Sequence, residues 1–360
     1  MTRTATRALS IHMGRNAADR IGREGWSPDH FDLLLGASGG PKWFILGQLD
    51  RLLFGDFLQR GQHPLSALGS SIGSWRHACL AQSDPVAAIN RLEHAYLHQN
   101  YAGKPSVAEV SAVSLKTLQD VLQQDGARQI LQHPRIQTHI VTARGRGPAA
   151  ASSSPLLATG MGAAALGNSV SRHLLKLHFQ RVVFHSQTTP RPLLAMQDFN
   201  TCFSELQENS VAAALHASGA IPFVLTGERN IPGAPPGQYW DGGIIDYHFD
   251  LSQYRGHGLI LYPHFSATLI PGWFDKFLPW RRAEAHSRPI DDLVLLSPSE
   301  PFIAELPQGK IPDRSDFTRL PYEERVAYWE TCIERSKAMA EEFFEQINRS
   351  DPLQDVHILR

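Results

Sequence analysis

Leu68-Gly69-Ser70-Ser71-Ile72-Gly73-Ser74 follows an apolar run, precedes a stretch with helical spacing, and contains the pentapeptide Gly-x-Ser-x-Gly. This spacing is typical of a sharp turn from a strand into a helix, with the central serine hydroxyl exposed at the turn. The flanking glycines remove side chains that would crowd a substrate carbonyl. The stretch therefore predicts a strand–turn–helix unit with Ser71 as a candidate nucleophile.

A second glycine-rich turn, Gly36-Ala37-Ser38-Gly39-Gly40, satisfies the same pentapeptide and follows another apolar run. Pro41 suits the first position of a helix, and apolar residues then recur at helical spacing up to Phe54. Such a turn points free backbone N–H groups towards an anion. A phosphate-binding P-loop is a poor match, because Pro41 precedes Lys42 and Trp43 follows it. One turn therefore supplies the candidate nucleophile and the other a candidate oxyanion hole.

Two further motifs lie downstream. Ala217-Ser218-Gly219-Ala220-Ile221-Pro222 ends an alanine-rich, helix-like stretch that begins at Val211, and Asp241-Gly242-Gly243 places an acid directly before two glycines. In this order and at these separations, the four motifs resemble those of the patatin-like phospholipases. The resemblance covers about residues 30 to 250. The first turn departs from the family pattern, which commonly begins Asp-Gly-Gly-Gly, because Ala37-Ser38 fill the first two of those places.

The resemblance implies a role for each matching residue. Ser71 corresponds to the nucleophile and Asp241 to its only general base. Gly39 and Gly40 correspond to the backbone donors of the oxyanion hole, and Lys42 lies where the family usually has arginine or lysine. The supporting glycines of the two catalytic motifs are Gly69, Gly73, Gly242 and Gly243.

A serine–aspartate dyad has chemical requirements of its own. Because no histidine takes the proton, the carboxylate must accept it directly, so Asp241 has to be partly desolvated and more basic than usual. Ser71 would attack an ester carbonyl, and water activated by Asp241 would then hydrolyse the acyl-enzyme. We therefore expect a serine lipid acyl hydrolase of the phospholipase A or esterase type, which needs no cofactor and no metal.

Several alternatives stay open at this point. An esterase or lipase, or an intracellular polyester depolymerase, would use the same dyad on other esters. A protein of another class, a catalytically weak lipid-binding or regulatory module, would keep the fold without the turnover. Asp246 is a rival acid and Ser38 a rival serine. The chain has 17 histidines, and a triad would draw on one near the motifs, namely His77, His216 or His248.

The pattern along the chain alternates strands and helices. Short apolar runs at 31–35, 64–68, 138–142 and 181–185 predict buried strands, and Pro85 to Leu97 predicts a helix. We expect an α/β fold with a mainly parallel sheet covered by helices on both faces. Residues 1–255 would form the catalytic domain and 256–360 a C-terminal extension packed on it. The extension would end in one long amphipathic helix from Tyr322 to Ile347, with Val326, Trp329, Ile333, Ala340 and Phe344 on its apolar face.

Composition bounds the class of protein. The 360 residues are 42% hydrophobic and 19% charged, which is ordinary for a globular chain. A formal net charge of −1 argues against nucleic acid as the main partner. The three cysteines are scattered without metal-ligand spacing, and the N-terminal residues contain no apolar core of a secretory signal. We therefore expect a cytoplasmic protein with reduced thiols.

Two segments outside the motifs have open roles, and contact with a membrane surface is one alternative for each. Residues 144–170 are rich in small residues and uncharged from Ser152 to Val170, which fits a flexible cap, an interfacial helix or a buried helix. The segment 270–282 combines aromatic and basic residues, as in a bilayer-surface anchor, with buried packing as the alternative. The predicted contact residues are Trp273, Phe274, Phe277, Trp280, Arg281 and Arg282.

Overall fold

The computed structural model describes residues 7–101, 103–186, 193–280 and 290–359. Its centre is one sheet of eleven strands. In chain order they are β1 (Leu9–Met13), β2 (Phe31–Gly36), β3 (Leu65–Ser70), β4 (Ile136–Gly145), β5 (Phe179–His185), β6 (Cys202–Glu205), β7 (Glu228–Arg229), β8 (Gln238–Asp241), β9 (Leu259–Pro263), β10 (Leu293–Pro298) and β11 (Val356–Ile358).

The sheet is mainly parallel. Its order is β11-β1-β10-β9-β2-β3-β4-β5-β6, and the five strands from β10 to β4 run in one direction. All residues of β3, β9 and β10 are buried, as expected for parallel strands covered on both faces. The four strands predicted at 31–35, 64–68, 138–142 and 181–185 correspond to β2, β3, β4 and β5, so the predicted α/β class is confirmed.

Helices pack on both faces of this sheet. They are α1 (Arg15–Glu24), α2 (Gly47–Gly55), α3 (Ile72–Leu80), α4 (Pro85–Leu97), α5 (Val107–Leu122), α6 (Gly126–Gln132), α7 (Ser154–Val170), α8 (Val211–Gly219), α9 (Glu300–Glu305), α10 (Asp316–Arg319), α11 (Tyr322–Arg335) and α12 (Lys337–Ile347). Short 3₁₀ helices matter for the site at Gly40–Leu46, Gly242–Ile244 and Trp273–Phe277. None of the described helices combines the length and the hydropathy that crossing a bilayer requires.

The predicted helix from Tyr322 to Ile347 is present as two helices. Ser336 interrupts it, and its hydroxyl donates to the carbonyl of Ile333 at 2.7 Å. The interruption changes the buried face: Trp329 and Ile333 of α11 are buried as predicted, whereas Phe344 of α12 is 49% exposed. The residue buried in that part of α12 is Phe343, so the prediction for Phe344 was wrong, because it assumed one unbroken helical period.

The sheet also crosses the predicted domain boundary at residue 255. Strand β9 lies directly beside β2, and β10 pairs with both β9 and β1. Residues on both sides of the boundary therefore share one set of strands and one hydrophobic core. The division into a catalytic domain and an extension stays a prediction.

The length of β4 brings two distant motifs together. Its first six residues pair with β3, from Ile136 opposite Leu65 to Val141 opposite Ser70. The next residues pair with β8, with Thr142 opposite Asp241. Since β3 and β8 run in opposite directions along the same side of β4, their carboxyl ends meet. The residue after β3, Ser71, therefore lies beside the last residue of β8, Asp241.

Candidate active site

The turn at Ser71 is held in a strained conformation. Its backbone angles are φ 55° and ψ −131°. Residues other than glycine rarely adopt this region, which recurs at nucleophile turns. A Cβ atom on Gly73 would lie 2.0 Å from the carbonyl oxygen of Gly36, and one on Gly69 would lie 2.5 Å from the Cα of Ser74. Both glycines of the pentapeptide are therefore required by close backbone packing.

Ser218 fixes this turn from the far side. Its hydroxyl oxygen accepts the backbone N–H of Ser71 at 2.9 Å and lies 3.1 Å from the hydroxyl of Ser74, which donates to it. Its own proton is donated to the carbonyl of Val141 in β4 at 2.7 Å. The serine of the Ala-Ser-x-Ala-x-Pro motif thus ties the nucleophile turn to the sheet, a positioning role that the sequence analysis did not assign.

The hydroxyl of Ser71 donates directly to the carboxylate of Asp241, with 2.9 Å between Oγ and Oδ2. The other carboxylate oxygen, Oδ1, accepts the N–H of Gly243 at 2.7 Å. The backbone N–H of Asp241 donates to the carbonyl of Ala220, which anchors the end of β8. Serine and aspartate, 170 residues apart in sequence, therefore form one hydrogen-bonded pair.

The environment makes Asp241 unusually basic. Its side chain is only 5% exposed, as is that of Ser71. Burial raises the pKa of Asp241 to about 6, although the hydrogen bonds from Gly243 and Ser71 and the charges of Arg314 and Lys276 lower it. Desolvation therefore outweighs the groups that favour the charged form. A carboxylate with this pKa can accept a proton from serine near neutral pH.

The first glycine turn lies opposite this pair. Gly40 has φ +55° and begins the 3₁₀ helix that follows β2. Within residues 7–101, 103–186, 193–280 and 290–359, no acceptor receives a hydrogen bond from the N–H of Gly39 or Gly40. Both residues line the same cavity as Ser71 and Asp241. Two free N–H groups beside a serine nucleophile are the arrangement that stabilises an oxyanion.

The glycines after Asp241 also meet close neighbours. A Cβ atom on Gly242 would lie 2.2 Å from the carbonyl oxygen of Val141, and one on Gly243 would lie 2.5 Å from Oγ of Ser38. The predicted supporting glycines therefore occupy positions where a side chain would displace the acid from β4 or from the first turn.

The three candidate histidines lie outside the hydrogen-bonded pair of Ser71 and Asp241. His216 pairs with Glu228 at 2.6 Å, and Nδ1 of His248 accepts the N–H of Ile270 at 2.8 Å. His77 is buried, and neither of its ring nitrogens has a partner. Burial keeps the pKa of His77 and of His248 well below the usual value. None of the three bonds to Ser71 or Asp241.

The rival residues have other partners as well. Asp246 forms a buried two-point ion pair with Arg181, at 2.6 and 2.7 Å, so it supports the loop after Asp241. Ser38 donates to Oγ of Ser70 at 3.0 Å rather than to a carboxylate. Neither residue therefore matches the nucleophile–base geometry of Ser71 and Asp241.

The cavity has a volume of about 390 Å³ and two kinds of wall. One wall is apolar and includes Met161 of α7, Phe223 and Phe274. The other contains charged side chains from three parts of the chain: Lys42, Lys276, Asp313 and Arg314. Of these, only Lys42 was predicted at the site. Lys276 belongs to the segment 270–282, which was interpreted as a surface anchor, and no family motif includes Asp313 or Arg314.

The segment 270–282 is divided between core and surface. Trp273, Phe277 and Trp280 are 37%, 68% and 54% exposed. Phe274 is only 7% exposed, because it packs in a core cluster with Ile244 and Leu157, so the prediction that it contacts a membrane was wrong. Arg281 and Arg282 lie outside the described residues.

Helix α7 accounts for the small-residue run. It buries one face through Leu157, Gly160, Met161, Ala164 and Asn168. Its opposite face exposes Leu156, Leu166 and Val170. The helix packs against the segment Trp273–Phe277, and Met161 reaches the cavity. The run is therefore a half-exposed helix at the edge of the site.

Metal-binding geometry is absent from the part of the chain that the structure describes, where no three His, Cys, Asp or Glu side chains form a group able to hold an ion.

Comparisons with known proteins found one distant structural similarity. No family model matches the sequence, and no match was found among curated proteins. Among solved structures, the chain is similar to a chain of the heterodimeric ExoU–SpcU complex from the type III secretion system of Pseudomonas aeruginosa, with 17% identity and a TM-score of 0.29. The match covers 89% of this chain and 53% of the chain from the complex, so this chain spans about half the length of the chain that it matches. Similarity at this level carries no argument about activity.

Proposed function

We propose that this protein is a patatin-like serine ester hydrolase that cleaves carboxylic esters of lipids with Ser71 and Asp241. The observation that carries the proposal is the direct 2.9 Å hydrogen bond from the Ser71 hydroxyl to a buried carboxylate. A strained nucleophile turn and two free N–H groups on the adjacent glycine turn support it. These are the three parts that acyl transfer requires: a nucleophile, a base and an oxyanion hole.

In the proposed reaction, Oγ of Ser71 forms a bond to the ester carbonyl carbon while Asp241 takes the hydroxyl proton. The N–H groups of Gly39 and Gly40 stabilise the negative charge on the carbonyl oxygen, each worth about 3–4 kcal/mol by analogy with other oxyanion holes. The C–O bond to the alcohol then breaks, and the alcohol leaves with the proton held by Asp241. A water molecule then gives a proton to Asp241 and attacks the acyl carbonyl carbon. The bond from that carbon to Oγ breaks, the carboxylic acid leaves, and Oγ of Ser71 takes the proton from Asp241.

The apolar wall supports a lipid as the acyl donor. Met161, Phe223 and Phe274 would contact an acyl chain whose carbonyl lies between Ser71 and Gly40. Phe223 and Trp273 line the cavity and are also partly exposed, and the ring of Phe277 lies 5.7 Å from that of Trp273. An apolar surface that continues into the site would let a chain pass from a lipid aggregate to Ser71 without entering water. We therefore include peripheral contact with a lipid surface in the proposal.

The test is turnover of a chromogenic carboxylic ester combined with covalent labelling. We expect a fluorophosphonate to modify the peptide that contains Ser71, as mapped by mass spectrometry. Ser71→Ala and Asp241→Asn should each lower kcat/KM by roughly 10⁴-fold or more, as removal of a nucleophile or its carboxylate partner does elsewhere.

Ser38→Ala serves as the matched control, since Ser38 lines the same cavity without bonding to an acid. Loss of activity in Ser38→Ala with full activity in Ser71→Ala would reverse the roles of the two turns. A wild-type protein that binds lipid but neither reacts with the fluorophosphonate nor hydrolyses any ester would contradict the proposal in favour of a binding module. Activity on short-chain or polymeric esters alone would exclude lipids as substrates.

A further inference from the structure

Three basic side chains from separate parts of the chain line the cavity that holds Ser71 and Asp241. They are Lys42 after the first glycine turn, Lys276 in the 3₁₀ helix Trp273–Phe277, and Arg314 just before α10. The carboxylates on the same described wall are Asp241 and Asp313. Half-buried cations this close to a reaction centre repel one another, so their grouping favours a negatively charged ligand.

Arg314 lies closest to the candidate oxyanion hole. A Cβ atom on Gly40 would be 3.3 Å from Nη2 of Arg314 and 3.5 Å from the hydroxyl of Tyr96. In the described ranges, no carboxylate lies within 4.0 Å of the Arg314 guanidinium. The Arg314 side chain hydrogen-bonds the hydroxyl of Tyr96. A guanidinium has five N–H donors, so others stay available for an oxyanion.

The two lysines complete the cationic wall. Nζ of Lys276 lies 3.6 Å from the ring centre of Tyr247, and Nζ of Lys42 lies 3.8 Å from Oδ2 of Asp313. Burial, followed by the charges of Lys42 and Arg314, lowers the pKa of Lys276 to about 7. The three basic groups are thus close enough to influence one another, and a bound anion would favour the protonated form of Lys276.

We infer that Lys42, Lys276 and Arg314 bind a negatively charged group of the substrate, a phosphate or a carboxylate, beside the ester bond that Ser71 attacks. The inference names a substrate class for the proposed hydrolysis and rests on that proposal for its chemistry. Because Arg314 lies against Gly40, the charged group must be near the reacting carbonyl rather than at the far end of an acyl chain. An acyl glycerol that carries phosphate on its glycerol meets this condition, whereas a neutral acyl glycerol does not.

The experiment measures binding separately from turnover. Ser71→Ala protein is titrated by calorimetry with 1-decanoylglycerol 3-phosphate, 1-decanoylglycerol hemisuccinate and 1-decanoylglycerol, below their micelle concentrations. We expect at least one charged ester to bind about 10- to 100-fold more tightly than the neutral ester, as for charge-assisted hydrogen bonds. The tighter of the two charged ligands identifies phosphate or carboxylate. Introducing Arg314→Gln or Lys276→Met into the Ser71→Ala protein should remove most of the difference in affinity between the charged and neutral esters.

Arg319→Gln is the matched control, because Arg319 lies on α10 close to Arg314 in sequence but pairs with Asp316 at 2.9 Å. The Arg319→Gln change should leave the difference between charged and neutral ligands intact. Equal binding of all three ligands would overturn the inference, as would equal weakening of charged and neutral ligands by Arg314→Gln. Hydrolysis of neutral esters by the wild type tests the proposed function alone, so the two proposals can fail independently.

Discussion

At the scale of single residues, the important property is the basicity of Asp241. An exposed aspartate would be too weak a base to take a proton from serine, but burial raises the pKa of this one to about 6. The hydrogen bond from Gly243 to Oδ1 leaves Oδ2 for Ser71. The residue is thus oriented by one oxygen and able to react through the other.

The proposed ester hydrolysis should depend on pH through this pKa. Below about pH 6 the folded protein holds Asp241 protonated, so it cannot accept the Ser71 proton, and above that pH the carboxylate is free to do so. We expect kcat/KM on a neutral ester to rise with pH through about 6 and then level off. A profile measured between pH 4 and 8 checks this. A rise centred near pH 4 would show that Asp241 is solvated, which would contradict the buried geometry.

The sequence predicts only part of the site at this scale. Ser71, Asp241, Gly39 and Gly40 can be found because each belongs to a short motif with a fixed spacing. Ser218 belongs to a motif too, but its role depends on a hydroxyl that meets the Ser71 N–H across 147 positions, which no local pattern specifies. Lys276 and Arg314 belong to no motif, and only the folded chain brings them to the cavity.

At the scale of elements, the nucleophile turn depends on backbone contact between β2 and α3. Gly73 at the start of α3 approaches Gly36 at the end of β2 so closely that a methyl group would meet a carbonyl oxygen at 2.0 Å. The two glycine turns are therefore in direct contact and cannot move independently.

This contact predicts a large effect of Gly73→Ala. We expect the free energy of unfolding to fall by about 2–3 kcal/mol or more, because β2 or α3 must shift, and ester hydrolysis to fall with it. Gly162→Ala in α7 is the control, since a Cβ atom there meets nothing within 4 Å. It should stabilise the protein by about 0.5–1 kcal/mol. Urea unfolding measures both, and a neutral Gly73→Ala would show that the turns are not packed as described.

The elements themselves are partly predictable. Buried strands such as β2 and β3 are visible as apolar runs between glycines and prolines, and α4 begins at its proline and ends at Leu97 as the pattern indicates. The interruption at Ser336 is not visible, because serine is tolerated inside helices and the apolar spacing continues past it. The 3₁₀ geometry of Gly40–Leu46 is also hidden, since its apolar residues suit an α-helix equally well.

At the scale of the whole molecule, exposed aromatic residues lie beside the opening of the cavity. Phe223 and Trp273 belong to both the cavity wall and the surface. The exposed ring of Phe277 lies 5.7 Å from that of Trp273, and Trp280 is exposed three residues further along the chain. The sequence predicted an aromatic surface at this segment, but not that Trp273 also lines the candidate site, which depends on how the segment packs on α7.

Binding to lipid vesicles tests this surface. We expect Phe277→Ser combined with Trp280→Ser to lower partition into phosphatidylcholine vesicles about 10-fold or more, because each ring buries apolar area worth at least about 1.5 kcal/mol. Phe344→Ser, which removes an exposed ring on α12, should leave partition unchanged. Flotation in a density gradient measures all three proteins. Equal partition of the double variant and the wild type would contradict the proposed contact.

The meeting of β3 and β8 along one strand has a consequence for how the protein can be regulated. For the proposed hydrolysis, Ser71 and Asp241 are preorganised, since folding aligns them before a substrate binds. Both are held by strands that pair with the same strand, β4. We therefore expect control of the proposed chemistry to act on admission of the substrate rather than on assembly of the pair.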